Sequence, residues 1–390
     1  MNWKSSLINN QKEPKLASSK LPSQNWLPSL DGLRAIAVLL VFLEHITGNV
    51  FRDDLVENGA VFAGFLNFGD AGMGRSGVYL FFVLSSFLLT NQLLKPSINF
   101  NSGTLWLKYG FKRLIRIYPL YFFVLLVYLI FPSFQYSSRD VLEHLFLQKA
   151  GNHFWTIPVE IKYYLILPGT AWLLTRILKR NILAVVILCT GFAITSKLLE
   201  LTIWEFPRLS VLPHLPIFFI GSLAALIHRS LLDSSQDRSC IAKTIMEGVS
   251  LLSLLAIVLS FKTVFTSPIW YFFLGAEMSE LPSNHWLYLL HGFLWAIFLV
   301  THLHGRGWIT RFFSWKPLRY IGMISFGIYL WHIAVLGYLN AHLAVPSIMK
   351  LLAIFAVTIA ISTVTYLTIE QPMMKLKLPL IQREFYSTKQ

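Results

Sequence analysis

The sequence predicts an all-α, polytopic integral membrane protein of about ten transmembrane helices, with the N and C termini both cytoplasmic. Three observations predict it. Apolar runs near 20 residues recur along the chain, each long enough for one helix to cross a bilayer. Only 13% of the 390 residues are charged, and the mean hydropathy is +0.58; soluble globular chains carry about 25% charged residues. Alternate connecting segments hold 23 lysines and arginines, against 5 in the segments between them. The positive-inside rule assigns the richer set to the cytoplasm. The formal charge of +14 is therefore topological. Its basic residues fall in short loops between apolar spans, and no nucleic-acid partner is expected.

Taken in order, residues 1–28 form a polar cytoplasmic tail with Lys4, Lys12, Lys15 and Lys20. No apolar segment precedes it, so no cleaved signal peptide is expected. Residues 29–372 form the membrane domain, and 373–390 a cytoplasmic C-terminal tail. The expected spans are 30–49, 76–94, 117–132, 160–177, 182–198, 211–228, 246–262, 286–304, 322–341 and 348–369. The run Pro268–Gly275 is too short to cross and reads as re-entrant or interfacial. Counting it as a span would put the basic segment 305–321 on the outer side.

The first span holds Arg34 and His45. Eleven residues is almost three helical turns, so both leave one stripe of the helix, roughly 16 Å apart along it. Ionisable groups in a membrane segment usually face protein or water and mark function. The plainer reading is that Arg34 pairs with Asp31 or snorkels to the interface, and that His45 ends the helix. In the second span Ser85 and Ser86 suit close helix packing better than catalysis, because no base is adjacent in sequence. Segment 95–116 ends with Arg113 and Arg116, which share a helical face. They are either a topogenic flank or an anion site whose guanidinium forks suit phosphate oxygens. Glu160 stands at the first turn of the fourth span, where the helix dipole favours a carboxylate. That position is also the expected depth of His45, so Glu160 could fix its tautomer. Small residues Gly221, Ser222, Ala224 and Ala225 point to a closely packed sixth span. His332, in the ninth span, reads as bonding a neighbouring helix. Cys189 and Cys240 have no disulfide-framework or metal-ligand spacing. His302 and His304, at i and i+2, do not share a face, so no metal is expected.

These pieces together resemble the acyltransferase-3 family of integral membrane acyltransferases. The segments that carry the likeness are LDGLRAIAVLLVFLEH with Arg34 and His45, GVYLFFVLSSFLLT, KRLIRIYPLY with Arg113 and Arg116, FWTIPVE ending in Glu160, FGIYLWH and IEQP. They run in order over residues 29–372. Where the family usually has Ser-Gly-Phe, this chain has Ser85-Ser86-Phe87.

The resemblance implies transfer of an acyl group, usually acetyl, from cytoplasmic acyl-CoA to an acceptor beyond the cytoplasmic (inner) membrane. Acceptors in the family are typically hydroxyls of polysaccharide, lipopolysaccharide or peptidoglycan. The chain would be the form without a fused extracytoplasmic domain. On this likeness Arg113 and Arg116 hold the phosphates of acetyl-CoA, with Arg34 one turn inside. His45 is the general base, and Glu160 orients it or steadies its imidazolium. An acetyl-histidine intermediate is the competing route. Two rival readings stand beside this one: a proton-coupled secondary transporter with His45 and Glu160 as relay, and a purely structural subunit. Corresponding halves expected of many transporters are not found in the sequence.

Overall fold

A computed structural model describes residues 27–51, 72–131, 134–202, 209–234, 239–261 and 285–376. They form helices α1 (Pro28–Val50), α2 (Met73–Leu93), α3 (Gly103–Ile130), α4 (Ser138–Leu145), α5 (Thr156–Trp172), α6 (Ile182–Thr202) and α7 (Leu215–Asp233). After these come α8 (Cys240–Leu259), α9 (His285–His304), α10 (Trp308–Phe313), α11 (Lys316–Met323), α12 (Ser325–His342), α13 (Ser347–Thr365) and α14 (Gln371–Met374). The described residues contain no strand. The protein is an all-α polytopic membrane protein.

The described parts of the expected spans fall on helical segments, with 322–341 crossing the break between α11 and α12. Among the described residues, six helical stretches are long and apolar enough to cross a membrane, or seven if the bent pair α11–α12, which turns by 71°, is one span. Ile182–Ser196 and Tyr288–His304 are shorter apolar stretches. The run Pro268–Gly275 lies outside the described residues.

Local chemistry sets the helix ends. Pro28 occupies the first turn of α1, where its missing N–H costs nothing. Ser102 caps α3 by accepting a hydrogen bond from the Leu105 N–H at 3.3 Å. This start corrects one boundary. Segment 95–116 reads in the sequence as a loop, yet from Gly103 it is already helix. At 1.5 Å per residue α3 is about 42 Å long, beyond the ~30 Å hydrocarbon core, so its basic first turns can stay helical outside it.

α1 is the hub. It packs against α2, α10, α11, α12 and α13. Leu33, Ala37, Val41 and Ile46 along it are fully buried, and its ionisable residues Arg34, Glu44 and His45 are half-buried. α2 runs antiparallel beside it: the Gly74 N–H donates to the Glu44 carboxylate at 2.8 Å, and Gly77 lies against the Ala37 carbonyl. On its other side α2 packs on α7. Ser86 fits there because Gly221 faces it; a Cβ at Gly221 would lie 1.9 Å from the Ser86 hydroxyl. Thr90 and Ser222 hydrogen-bond across the same interface at 2.9 Å.

Candidate active site

α1 runs unbroken from Arg34 to His45, so the two do share one helix and mark the two ends of the site.

At the Arg34 end, three guanidinium groups converge. Arg34 donates to Asp31 at 3.2 Å, the local pair anticipated from their spacing. Arg116 on α3 donates to Glu370 at 3.2 Å. Glu370 ends a π turn, Tyr366–Glu370, that follows α13. It is 3% exposed, and its second carboxylate oxygen has no hydrogen-bond partner among the described residues. Arg113, one turn before Arg116, lies over the ring of Tyr164 at 5.8 Å. Arg34 is within electrostatic reach of Arg113, Arg116 and Tyr164. Planar forks brought together in this way are suited to bidentate contacts with phosphate oxygens.

Glu160 belongs to this end, which corrects the depth expected of it. Its carboxylate accepts hydrogen bonds from Ser85 at 2.6 Å and from the Tyr164 hydroxyl. Tyr164 is the ring beneath Arg113. The expected depth assumed that the fourth span starts near residue 160 at the outer face. In fact α5 starts at Thr156, and the turn before it, Asn152–Trp155, already reaches the level of His332. Seven residues separate His153 from Glu160, about 10 Å of helix rise, and they lead away from the imidazoles toward the arginines. The α1–α2 register agrees. Gly74 pairs with Glu44, so Ser85, eleven residues further along antiparallel α2, lies near the level of Arg34.

His45 has another partner. Its Nδ1 lies 2.9 Å from Nε2 of His332 on α12. The rings are 15° from parallel with centroids 5.2 Å apart, so the two nitrogens meet edge to edge. Nδ1 of His332 faces the carbonyls of Tyr329 at 2.8 Å and Ile328 at 3.1 Å. Among the described residues, Nε2 of His45 makes no hydrogen bond. A third imidazole, His153, packs edge-on against His332 with centroids 5.0 Å apart. Tyr329 ties these elements together: it donates to the His153 carbonyl and accepts from Thr156 at 2.7 Å.

The loop before α5 shapes this end. Ser137 and Asp140 form a capping box at the start of α4. His144 Nδ1 donates to the Asp140 carbonyl at 2.7 Å, and its Nε2 accepts from the Gly151 N–H at 3.0 Å. Both ring nitrogens are thereby committed in the neutral form, one residue from the turn that carries His153. Burial pushes His144 below the usual imidazole range. The Lys149 ammonium and the Ser137 hydroxyl on Asp140 hold that carboxyl well below the usual carboxylate range. Among the described residues, no group of three or more His, Cys, Asp or Glu is arranged to hold a metal ion.

Three of the residues assigned from sequence, Arg34, Arg113 and Arg116, therefore gather at one end, with Glu160 beside them. His45 stands at the other end. His332, His153 and Glu370 complete the two clusters. His332 does bond a neighbouring helix, but that its partner is His45 has no signature in the chain, because the two are separated by 287 positions.

Residues 27–367 match the family described as an acyltransferase domain. The chain is 25% identical to the peptidoglycan O-acetyltransferase OatA of Listeria monocytogenes, over 90% of this chain and 56% of that protein. It is 23% identical to the O-acetyltransferase OatA of Staphylococcus aureus, over 91% of this chain and 58% of that one. The chain thus spans less than two thirds of the length of these relatives. No solved structure matches it.

Proposed function

Because this chain belongs to the acyltransferase domain family, we propose that it is a membrane O-acyltransferase that moves an acetyl group through the membrane domain to a carbohydrate hydroxyl on the far side. The observation that carries the reading is the layout around α1, with an arginine cluster at one end and, at the other, an imidazole whose Nε2 makes no hydrogen bond among the described residues. The positive-inside rule supports a cytoplasmic arginine end and an outward imidazole end in the cytoplasmic membrane.

In this reading the donor is acetyl-CoA. Arg34, Arg113 and Arg116 grip its phosphates, and its long thin arm runs along α1. The roughly 16 Å between Arg34 and His45 matches such an arm. Glu160 holds Tyr164 and Ser85 beside that path, which keeps the Tyr164 ring under Arg113. His45 takes the proton of the acceptor hydroxyl on Nε2 as general base. The hydroxyl oxygen attacks the thioester carbonyl, the carbon–sulfur bond breaks, and the leaving thiolate takes the proton from Nε2. The likeness to the peptidoglycan O-acetyltransferase of Listeria monocytogenes supports cell-wall carbohydrate as the class of acceptor.

The test uses sealed membrane vesicles with labelled acetyl-CoA on the arginine side and a peptidoglycan fragment on the histidine side. Label in the glycan, with consumption of the donor, supports the reading. Uptake of a solute without donor consumption would favour the proton-coupled transporter instead.

A further inference from the structure

Resting on the reading of His45 as base, we propose that His332 is a positioning residue that fixes the tautomer of His45. Backbone carbonyl groups of α12 set the order of the protons. Nδ1 of His332 faces two carbonyl oxygens, of Tyr329 at 2.8 Å and Ile328 at 3.1 Å. A carbonyl oxygen only accepts, so Nδ1 of His332 carries a proton. In a neutral imidazole the other nitrogen is then a bare acceptor. That nitrogen, Nε2, lies 2.9 Å from Nδ1 of His45. Two bare nitrogens at this distance would repel, so Nδ1 of His45 is the protonated one and donates. Nε2 of His45 is left with its lone pair. The whole sequence of donors is set by the backbone of α12.

This arrangement does for His45 what a carboxylate does in many catalytic dyads, without bringing a charge into the membrane. The orienting group is held rigidly. His332 is 1% exposed. His153 packs against its edge and Phe42 against its other side, at ring centroids 5.0 and 6.4 Å. The tyrosine that supplies one of the two carbonyls is itself tied by its hydroxyl to His153 and Thr156. When Nε2 of His45 takes the acceptor proton, the resulting imidazolium still donates from Nδ1 to His332. When the thiolate leaves, that Nε2 proton goes to sulfur and the starting tautomer returns. The same lone pair would serve an acetyl-histidine route, so the role of His332 does not depend on which route is used.

The test compares full-length wild type, His332→Phe, His332→Gln and His45→Ala in vesicles. Phenylalanine fills the ring volume and accepts nothing. Glutamine offers a side-chain oxygen near the position of Nε2. The expected result is a fall of about 100-fold or more in kcat for His332→Phe with donor KM within about threefold of wild type, and recovery of at least about tenfold by His332→Gln. A purely structural role would move KM and folding together and would not distinguish Gln from Phe. The inference is overturned if His332→Phe keeps wild-type kcat, or if Gln is no better than Phe, while His45→Ala is inactive. Wild-type turnover by His45→Ala would instead remove the underlying reading. Should His332→Phe fail to fold, nitrogen-15 spectra of histidine-labelled wild type decide: a protonated Nδ1 and bare Nε2 on His45 support the proposal, and the reverse tautomer overturns it.

Discussion

Arg116→Met separates the stability of the arginine cluster from its proposed role in donor binding. Arg116 donates to Glu370 at 3.2 Å, and the Glu370 side chain is 2% exposed. The other oxygen of that carboxylate has no hydrogen-bond partner among the described residues. Removing the guanidinium leaves a buried carboxylate without its counter-ion, which costs about 3–5 kcal/mol in comparable sites. Arg116 is 28% exposed, so about 3 kcal/mol, the low end, is expected here. Replacing both partners with apolar residues, as in Arg116→Met with Glu370→Leu, removes the stranded charge and should recover most of that loss. Donor binding should not recover. One lost charge-assisted contact is worth about 1.5–3 kcal/mol, a rise in donor KM of about 10- to 150-fold in both the single and the double variant. Denaturant unfolding in detergent and donor KM in vesicles read the two effects separately. A double variant as unstable as the single one would refute the buried-pair argument. A double variant that binds donor normally would refute the phosphate role of Arg116.

Three further outcomes follow from individual contacts. Gly221→Ala sets a Cβ 1.9 Å from the Ser86 hydroxyl and 2.5 Å from the Val83 carbonyl; it should cost about 1–3 kcal/mol in the same unfolding assay, and adding Ser86→Gly should return only part of that. Tyr164→Phe keeps the ring beneath Arg113 and loses only the hydroxyl on Glu160. Tyr164→Leu loses the ring as well, so donor KM should rise further in Leu than in Phe, by the roughly 0.5–2 kcal/mol of a cation–π contact; equal values would contradict the geometry. In the loop before α5, the folded state holds His144 neutral, below its usual range, among Asp140, Glu143 and Lys149. The unfolded loop binds a proton below about pH 6.5. The stabilising contribution of His144 is therefore complete above that pH and is lost as pH falls toward the lowered folded value. Asp140 behaves in the same sense at much lower pH, because its carboxyl is depressed below the ordinary carboxylate range. Hydrogen-exchange protection factors over residues 134–151, taken relative to the intrinsic base-catalysed rate at each pH, should fall between pH 8 and pH 5 in wild type, and that fall should shrink in His144→Gln. Protection factors that do not change over this range would count against a neutral, bonded His144.

Much of the fold is legible in the chain because membrane helices announce themselves. α1 reads directly from its apolar run, and the eleven-residue spacing of Arg34 and His45 places both on one stripe of a helix that proves continuous. Arg113 and Arg116 likewise share a face, as an i, i+3 pair must. The start of α3 is less legible, because a helix that continues into water stops looking apolar before it stops being helical. The depth of Glu160 is not legible at all. It depends on how far the turn at Asn152–Trp155 reaches toward His332, and that is set by Tyr329 and Thr156 rather than by the local pattern. The pairings His45–His332 and Arg116–Glu370 span 287 and 254 positions, so no periodicity connects them. The chain supplies the motifs, and only the packing of α12 and α13 assigns their partners.

The proposed mechanism has donor and acceptor meet at His45 from opposite faces. Its most direct measurement is acetyl transfer in sealed proteoliposomes of uniform orientation, with acetyl-CoA on the arginine side and the carbohydrate on the histidine side, for wild type and His45→Ala. Wild type should transfer across the membrane, and His45→Ala should fall by about 100-fold or more while still binding donor. Transfer by a folded His45→Ala at the wild-type rate, or transfer only when donor and acceptor share one compartment, would contradict it.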